Sequence, residues 1–509
     1  MTTEQILMLV TIGGYLVIML LIGVWFSRRN NSVDDFYLGG RKLGPFVTAM
    51  SAEASDMSSW LLMGLPGVAY ATGLADATWT AIGLAIGTYL NWLIVSKRLR
   101  NYSHVCNNSI TIPDFFSNRY RDKYKILMAI AAVIIIIFFV PYTASGFAAC
   151  GKLFSSLFGI DYHLAMIISA VVIVFYTSFG GFSAASTTDF IQGIVMTIAL
   201  FIVFGFGIAV AGGPSAVVDN ATALPGYLDL TQVFNAETNS AEPYSILKIA
   251  STLAWGLGYF GMPHVLLRFM AIDDSKKLKT SRRVATIWVV ISLAVAISIG
   301  IIGLAMVNTG AMQPLSDPET IIVVIADLLS KNGWLAALVG GLILAGILAS
   351  TMSTADSQLL AASSSVSENI ISGLFRIKTT KRASMIIAKV TLVLIAAVAV
   401  VLAWDKNSSV FQIVSFAWAG FGATFGPVVL LALFWKRSTM WGALSGMVVG
   451  GAMVFIWKYL IAPLGGVLGI YELLPAFLAA IIVNIVVSLL TKKPSQDVLD
   501  EFDAVKAMK

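Results

Sequence analysis

The chain has 509 residues, of which 58% are hydrophobic and 12% are charged, and its formal net charge is +6. A mean hydropathy of +0.86 is typical of a polytopic membrane protein and excludes a soluble enzyme with a single anchor. The sequence contains no Lys/Arg-rich block of the kind that binds nucleic acid. It also contains no G-x-x-x-x-G-K-[ST] motif, so ATP-driven transport has no support. Cys106 and Cys150 are too few for a disulfide framework.

Apolar stretches long enough to cross a bilayer recur along the whole chain. Residues 1–5 carry no positive charge, so the first stretch is predicted to be a retained helix and not a cleaved signal peptide. Thirteen spans are predicted, or twelve if one is miscounted: 6–26, 47–70, 75–96, 126–156, 162–180, 188–213, 243–269, 284–308, 337–373, 383–404, 409–435, 441–461 and 471–491.

The basic residues predict the orientation of these spans. Most of the 33 Lys and Arg residues fall on one predicted side, among them Arg28, Arg29, Arg268, Lys378 and Lys509. The positive-inside rule makes that side cytoplasmic, which puts the N-terminus outside and the C-terminus inside. The loop 214–242 has no Lys or Arg and is predicted to lie outside.

The second span is interrupted by polar residues. Within 51–67, the carboxylates Glu53 and Asp56, four serines and a Gly/Pro pair break an apolar stretch. An ionisable group at bilayer depth costs at least ~2.5–3.5 kcal/mol unless it faces a partner or a wet cavity. Non-helical backbone is tolerated there only where it is buried in protein or lines such a cavity. We therefore predict a broken helix built around a polar ligand.

The seventh span contains a second break. Four helix-weakening residues lie within eight positions: Gly256, Gly258, Gly261 and Pro263. Paired Gly/Pro-interrupted segments in corresponding positions of two halves indicate the binding site of a secondary transporter. The alternative is ordinary packing, because Gly and Pro are common in membrane helices.

A third polar element lies at 350–357. On a helix, Ser350, Ser353, Thr354 and Ser357 share one face, and hydroxyls are suited to a hard cation. The alternative is that these hydroxyls connect packed helices. Asp189 is another deep acid, and the alternative to a role in a binding site is that it is simply solvated or caps the following helix. The three histidines, His104, His163 and His264, are isolated and are interpreted as structural or surface groups.

Several motifs together resemble the solute:sodium symporter family, and within it the proline carriers. They are Asp35–Arg41, Ser55-Asp56-Met57-Ser58 with Trp60, Leu61–Gly67, Trp255–His264, and Gly420–Ala423. The resemblance covers most of the chain. It implies an all-α, thirteen-helix, five-plus-five inverted-repeat fold of the leucine-transporter type, with rocking-bundle alternating access. It also implies sodium-coupled import of L-proline, with Na⁺ as the coupling ion, no other cofactor and no enzymatic activity.

The resemblance also implies site residues. The sodium site would use the carbonyls of Ala54, Met57 and Ser350 and the hydroxyls of Ser353 and Thr354, with Asp56 beside it. The proline pocket would use Trp60, Tyr142, Trp255, Tyr259 and Pro263. A second cation would bind at Asp189, Ser353, Asp356 and Ser357, as in some family members.

The implied organisation has five parts. They are an N-terminal helix with a cytoplasmic linker (1–45), two inverted repeats (46–240 and 241–436), two C-terminal helices (437–491) and a short cytoplasmic tail (492–509). The expected location is a bacterial-type cell membrane. The expected partners are proline, Na⁺ and the bilayer, without an obligatory protein partner.

This sequence departs from the family pattern at Glu53 and Ser59, where small residues are expected, and at Ser350 and Asp356, where alanine and serine are usual. Glu53 and Ser59 bear on the shape of the pocket, and Asp356 bears on the number of ions. Alternative functions are symport of another small solute, such as pantothenate or a different amino acid, and a channel or a transporter-like sensor.

Overall fold

The computed structural model describes residues 1–27, 33–377 and 380–508. Arg28, Arg29, Lys378 and Lys509, which contribute to the predicted orientation, lie outside these residues. The first half of the chain folds into α1 (Thr3–Ser27), α2 (Val33–Leu38), α3 (Pro45–Asp56), α4 (Leu65–Thr72), α5 (Leu74–Leu90), α6 (Ser96–Val105), α7 (Ile112–Arg119), α8 (Ile126–Phe158), α9 (Tyr162–Val210) and α10 (Pro214–Thr222).

The second half repeats this helical character. It contains α11 (Ile246–Leu253), α12 (Pro263–Ala271), α13 (Leu278–Asn308), α14 (Ile321–Ser330), α15 (Trp334–Ser364), α16 (Lys381–Leu402), α17 (Val410–Phe434), α18 (Met440–Ile456), α19 (Leu473–Leu490) and α20 (Gln496–Ala507). Short 3₁₀ turns or π-helical turns extend several of these helices at Trp60–Gly64, Asn91–Val95, Ala254–Phe260, Ser365–Leu374 and Trp457–Ile461.

Ten helices among the described residues are long and apolar enough to cross a membrane. Three shorter apolar helices, Trp60–Thr72, Tyr162–Ser178 and Ile246–Phe260, fall in the second, fifth and seventh predicted spans. The prediction of a polytopic helical membrane protein is confirmed, while the count of thirteen and the five-part division of the chain stay predictions.

The loop predicted between 214 and 242 is partly ordered into regular structure. It contains α10 and a small antiparallel hairpin, in which β1 (Gln232–Asn235) pairs with β2 (Ser240–Pro243). Tyr227, just before the hairpin, donates hydrogen bonds from its hydroxyl to the carbonyls of Ala69 and Tyr70 at 2.7 and 2.9 Å. The hairpin segment is therefore tied to the end of α4.

Both predicted helix breaks are present. α3 ends at Asp56, Met57 has non-helical dihedral angles (φ −77°, ψ 72°), and the helix resumes at Trp60. In the seventh span, the 3₁₀ segment Ala254–Phe260 ends before Met262, whose backbone is extended, and α12 begins at Pro263. Proline suits this first helical position because its missing N–H has no intrahelical partner there.

Glycine lets the second break pack directly against α5. A Cβ atom on Gly87 would overlap the backbone of Gly256, and one on Gly256 would overlap the carbonyl oxygen of Gly83. Two backbones approach so closely only where side chains are missing. The interrupted seventh span is thus held by backbone contact as well as by its side chains.

Candidate ion and solute site

The broken end of α3 meets the middle of α15. The Ser353 hydroxyl donates a hydrogen bond to the Ala54 carbonyl oxygen at 2.7 Å and lies 3.2 Å from the Ser350 carbonyl oxygen. The carbonyl oxygens at a helix C-terminus carry partial negative charge that no intrahelical N–H neutralises. The structure therefore concentrates oxygen atoms where two helices touch.

Thr354 lies at the same junction. Its hydroxyl is buried and has no hydrogen-bond partner among the described residues. Met57 directly follows the last residue of α3. Its N–H donates to the Glu53 carbonyl at 2.7 Å, and the Met57 carbonyl lies at the break. Carbonyl and hydroxyl oxygens are the kind of ligand that a hard monovalent cation prefers. The sequence-predicted ligands Ala54, Ser350, Ser353 and Thr354 lie on the two helix segments that meet here.

An aromatic group covers the same break. The Tyr142 hydroxyl and the Trp60 indole N–H both donate to the Asp56 carbonyl oxygen, at 3.0 and 3.1 Å. The Tyr259 hydroxyl donates to the Asp56 carboxylate at 2.6 Å. Tyr142, Trp60 and Tyr259 are each about 1% exposed. Three predicted pocket residues are therefore held around Asp56 from three different elements.

Trp255 completes the aromatic group. Its ring centroid lies 6.2 Å from that of Trp60 and 5.3 Å from that of Phe411. The Trp418 indole N–H donates to the Trp255 carbonyl oxygen at 2.8 Å. Pro263, the fifth predicted pocket residue, is buried at the first turn of α12, and its contact with a solute stays a prediction.

Arg268 corrects the interpretation of the basic residues. From its sequence position, Arg268 is predicted to lie with the basic residues of the inner loops, but its side chain is 1% exposed and makes a 3.1 Å ion pair with Asp189. The same guanidinium donates to Ser51 at 3.0 Å and to Ser357 at 2.6 Å. Hydropathy treated Arg268 as the polar end of a span, whereas the helix carries it into a polar cluster within the protein.

The predicted second cation site therefore already contains one cationic group. Asp189 and Ser357 both bind Arg268, and the Ser357 hydroxyl donates to Asp356 at 3.2 Å. One carboxylate oxygen of Asp189 and one of Asp356 are buried without a partner in the described part of the chain. The guanidinium contacts Asp189 directly and is linked to Asp356 through Ser357, so the three charged groups carry one net negative charge when both carboxylates are ionised.

Glu53, which the family resemblance did not explain, has a defined partner. Trp92 donates its indole N–H to Glu53 Oε1 at 2.8 Å, and both side chains are buried. The second carboxylate oxygen has no partner within the described ranges. Glu53 thus joins α3 to the π-helical segment Asn91–Val95.

A cavity of about 570 Å³ lies on the predicted outer side, and Phe411, which packs on the Trp255 ring, and Ser415 are among its lining residues. Glu319 fixes the start of α17 beside this cavity by accepting hydrogen bonds from the backbone N–H groups of Val410 and Phe411 at 3.0 and 3.1 Å. Lys152 binds the same carboxylate at 2.7 Å. Glu319 could not be predicted from a local sequence pattern, because the partners of its carboxylate lie about 90 or more residues away.

The chain belongs to the sodium:solute symporter family, whose model matches residues 36–450. It is 41% identical to a protein of Staphylococcus aureus named sodium/proline symporter over 503 residues, which is 98% of this chain and 95% of that protein. A second such protein, from Staphylococcus aureus strain USA300 / TCH1516, is also 41% identical, over 504 residues, with the same coverage of both chains.

Two solved structures share the fold. A Na⁺-coupled sialic acid symporter in a substrate-bound, outward-open state superposes with a TM-score of 0.78, at 19% identity, over 96% of this chain and 99% of that one. The nucleobase-cation-symport-1 family transporter Mhp1, in a closed conformation, gives a TM-score of 0.55 at 15% identity, over 92% and 98% of the two chains. At these identities the likeness shows the fold alone, and it confirms the predicted leucine-transporter-like fold class.

Proposed function

We propose that this chain couples the entry of Na⁺ to the import of L-proline by alternating access across a bacterial-type cell membrane, with its N-terminus outside and its C-terminus in the cytoplasm. The observation that carries the proposal is the junction of α3 and α15, where the Ser353 hydroxyl donates to the Ala54 carbonyl and the nearby Thr354 hydroxyl has no partner among the described residues. The Staphylococcus aureus relatives named sodium/proline symporter support proline as the solute.

Na⁺ would be held by the carbonyls of Ala54, Met57 and Ser350 and by the hydroxyls of Ser353 and Thr354. Its binding bridges α3 and α15 and fixes the end of α3. Entry of one Na⁺ down a potential of 100 mV releases ~2.3 kcal/mol before any concentration term. Coupling requires that Na⁺ and solute favour the same conformation.

Asp56 links the ion site to the pocket. It ends α3, whose last turn includes Ala54, and its carboxylate and carbonyl bind Tyr259, Tyr142 and Trp60. A cation that fixes this helix end therefore also fixes three aromatic side chains. The same chain of contacts gives the solute a means of changing the affinity for Na⁺, since such coupling is reciprocal.

Proline is compact and zwitterionic, and it matches the chemistry of the pocket walls. Its carboxylate would face the N-terminal end of α12 at Pro263, where helix N–H groups favour an anion. Its ring would pack on Trp255, Tyr259 or Tyr142, and its secondary ammonium would take a cation–π contact from one of these aromatic faces.

Equilibrium binding of labelled proline to the purified protein tests the ion and the pocket separately. Thr354→Ala removes one proposed ligand and should raise the Na⁺ concentration needed for half-maximal binding at least tenfold, whereas Thr354→Ser keeps the hydroxyl and should bind like the wild type. Trp255→Ala and Tyr259→Ala should weaken proline binding at saturating Na⁺. Unchanged sodium-dependent binding in both aromatic variants would contradict the proposed pocket.

We further propose a second cation at Asp189, Asp356 and Ser357. Arg268 neutralises one of the two carboxylates, and one oxygen each of Asp189 and Asp356, which have no partner in the described part of the chain, leave a place for one more positive charge. The transported charge per proline should be near two in the wild type and should fall towards one in Asp356→Ala. An unchanged ratio would refute the second ion.

A further inference from the structure

Tyr471 lies in the connection between α18 and α19, outside the elements that carry the proposed ligands, and yet it contacts the candidate pocket. Its ring stacks on Trp255 with 5.1 Å between centroids and 23° between planes. Its backbone N–H donates to the Ser251 hydroxyl at 2.7 Å. Its own hydroxyl donates to the Ser415 carbonyl oxygen at 2.7 Å. The backbone and side chain of this one residue thus join α11, the 3₁₀ segment Ala254–Phe260 and α17.

The attachment to α17 is placed at the edge of the outer cavity. Phe411, Ser415 and Trp418 follow one another at i, i+4 and i+7 and therefore share a face of α17. Phe411 packs on the Trp255 ring and Trp418 bonds its carbonyl. Phe411 and Ser415 also line the cavity of about 570 Å³. The bond from Tyr471 to Ser415 therefore fastens the part of α17 that separates this cavity from Trp255.

We propose that Tyr471 is a positioning residue for transport, which holds α17 against Trp255 while the pocket is closed to the outer cavity. Trp255 is 4% exposed in this arrangement, so a solute from the outer cavity reaches it only after the Phe411–Ser415 stretch of α17 moves. Movement of that stretch breaks the hydroxyl bond, and closure restores it. The inference rests on the proposed function only in requiring that a small solute pass through this pocket, whichever solute it is.

The hydroxyl bond can be removed without removing the ring. Tyr471→Phe keeps the stacking on Trp255 and the backbone bond to Ser251, and it loses only the bond to Ser415. An interaction that exists in the closed state alone affects the rate of closure and leaves binding to the open state unchanged. A neutral hydrogen bond of ordinary strength corresponds to a rate effect of about five- to tenfold.

The test is sodium-driven uptake into proteoliposomes, measured as Vmax and KM. Tyr471→Phe should lower Vmax about five- to tenfold at an unchanged KM. Ser251→Ala removes the acceptor of the Tyr471 N–H. It should also lower Vmax, because it removes the other hydrogen bond that positions Tyr471. Tyr459→Phe is the matched control, because Tyr459 lies in the same connection with a ring that is 60% exposed, and it should behave like the wild type.

A raised KM at an unchanged Vmax would make Tyr471 a solute contact and overturn the proposal. Wild-type kinetics in Tyr471→Phe, or an equal loss in Tyr459→Phe, would overturn it as well. Failure of the proposed function has a different signature, since the wild-type chain would then take up no proline. In that case, Vmax and KM of the Tyr471 variants are measured with the solute that the wild type does transport.

Discussion

Replacing Arg268 by glutamine should destabilise the protein more than any other single loss of charge in the polar cluster. The substitution leaves the fully buried Asp189 carboxylate without its cation and removes the donors to Ser51 and Ser357. Breaking a buried ion pair by removing one partner costs about 3–5 kcal/mol. The Arg268 guanidinium also lies 5.0 Å from the Phe182 ring centroid, and this contact is lost too.

Thermal unfolding of the purified protein in detergent measures this effect. Arg268→Gln should unfold several degrees below the wild type, and Asp189→Asn in the same chain should restore part of the loss, because it removes the uncompensated charge. Arg283→Gln is the matched control on an exposed arginine. If Arg268→Gln unfolds at the same temperature as Arg283→Gln, the buried ion pair does not stabilise the fold as argued.

Three further predictions concern other parts of the chain. Trp92→Phe removes the only donor to the Glu53 carboxylate in the described chain, and it should lower the free energy of unfolding by about 1–3 kcal/mol in denaturation experiments. Gly87→Ala places a methyl group against the backbone of Gly256 and should sharply reduce the yield of folded protein in size-exclusion chromatography. Hydrogen bonds from the side chains of Ser495 and Arg121 hold the pKa of Asp497 below its ordinary value. The carboxylate of Asp497 therefore contributes to the attachment of α20 at pH values above about 3.9, and this contribution is lost as the pH falls further, which a partial loss of protection of the α20 amides in hydrogen exchange should detect.

Each of these predictions has its own control. Glu53→Gln combined with Trp92→Phe should be less damaging than Trp92→Phe alone, because a neutral amide is cheaper to leave without a partner than a carboxylate. Gly13→Ala should fold normally, since a Cβ atom there meets nothing within 4 Å. Protection of α20 that falls equally in Asp497→Asn at neutral pH and in the wild type at low pH supports the third prediction. Protection that is independent of pH contradicts it.

The features that could be predicted from the sequence are those that depart from the ordinary apolar pattern of a membrane helix. Asp56 and the Gly/Pro pairs predicted both breaks, because polar and helix-breaking residues at bilayer depth need a compensating partner. The hydroxyl face of 350–357 was predicted from helical periodicity, and the structure brings Ser353 to the Ala54 carbonyl. The family-based pocket residues Trp60, Tyr142 and Tyr259 meet around Asp56.

Contacts between side chains far apart in the chain could not be predicted from the sequence. Arg268 and Asp189 are 79 residues apart, and Trp92 and Glu53 are 39 apart, so neither pair follows from a local pattern. A hydropathy profile reports where a helix meets the membrane surface, but it does not report which side chain finds a counter-charge inside the protein. Tyr471 was missed for the same reason, since its connection shows no polar pattern that points to Trp255.

The most direct test of the central claim is uptake by the wild-type protein in liposomes, with an inward Na⁺ gradient, a negative interior potential and a panel of labelled solutes that includes proline, other amino acids and pantothenate. The account predicts that proline accumulates above its external concentration, and that accumulation stops when the Na⁺ gradient is collapsed. Accumulation of another solute and not proline would contradict the substrate. Uptake that only equilibrates across the membrane, or that ignores Na⁺, would contradict sodium-coupled symport.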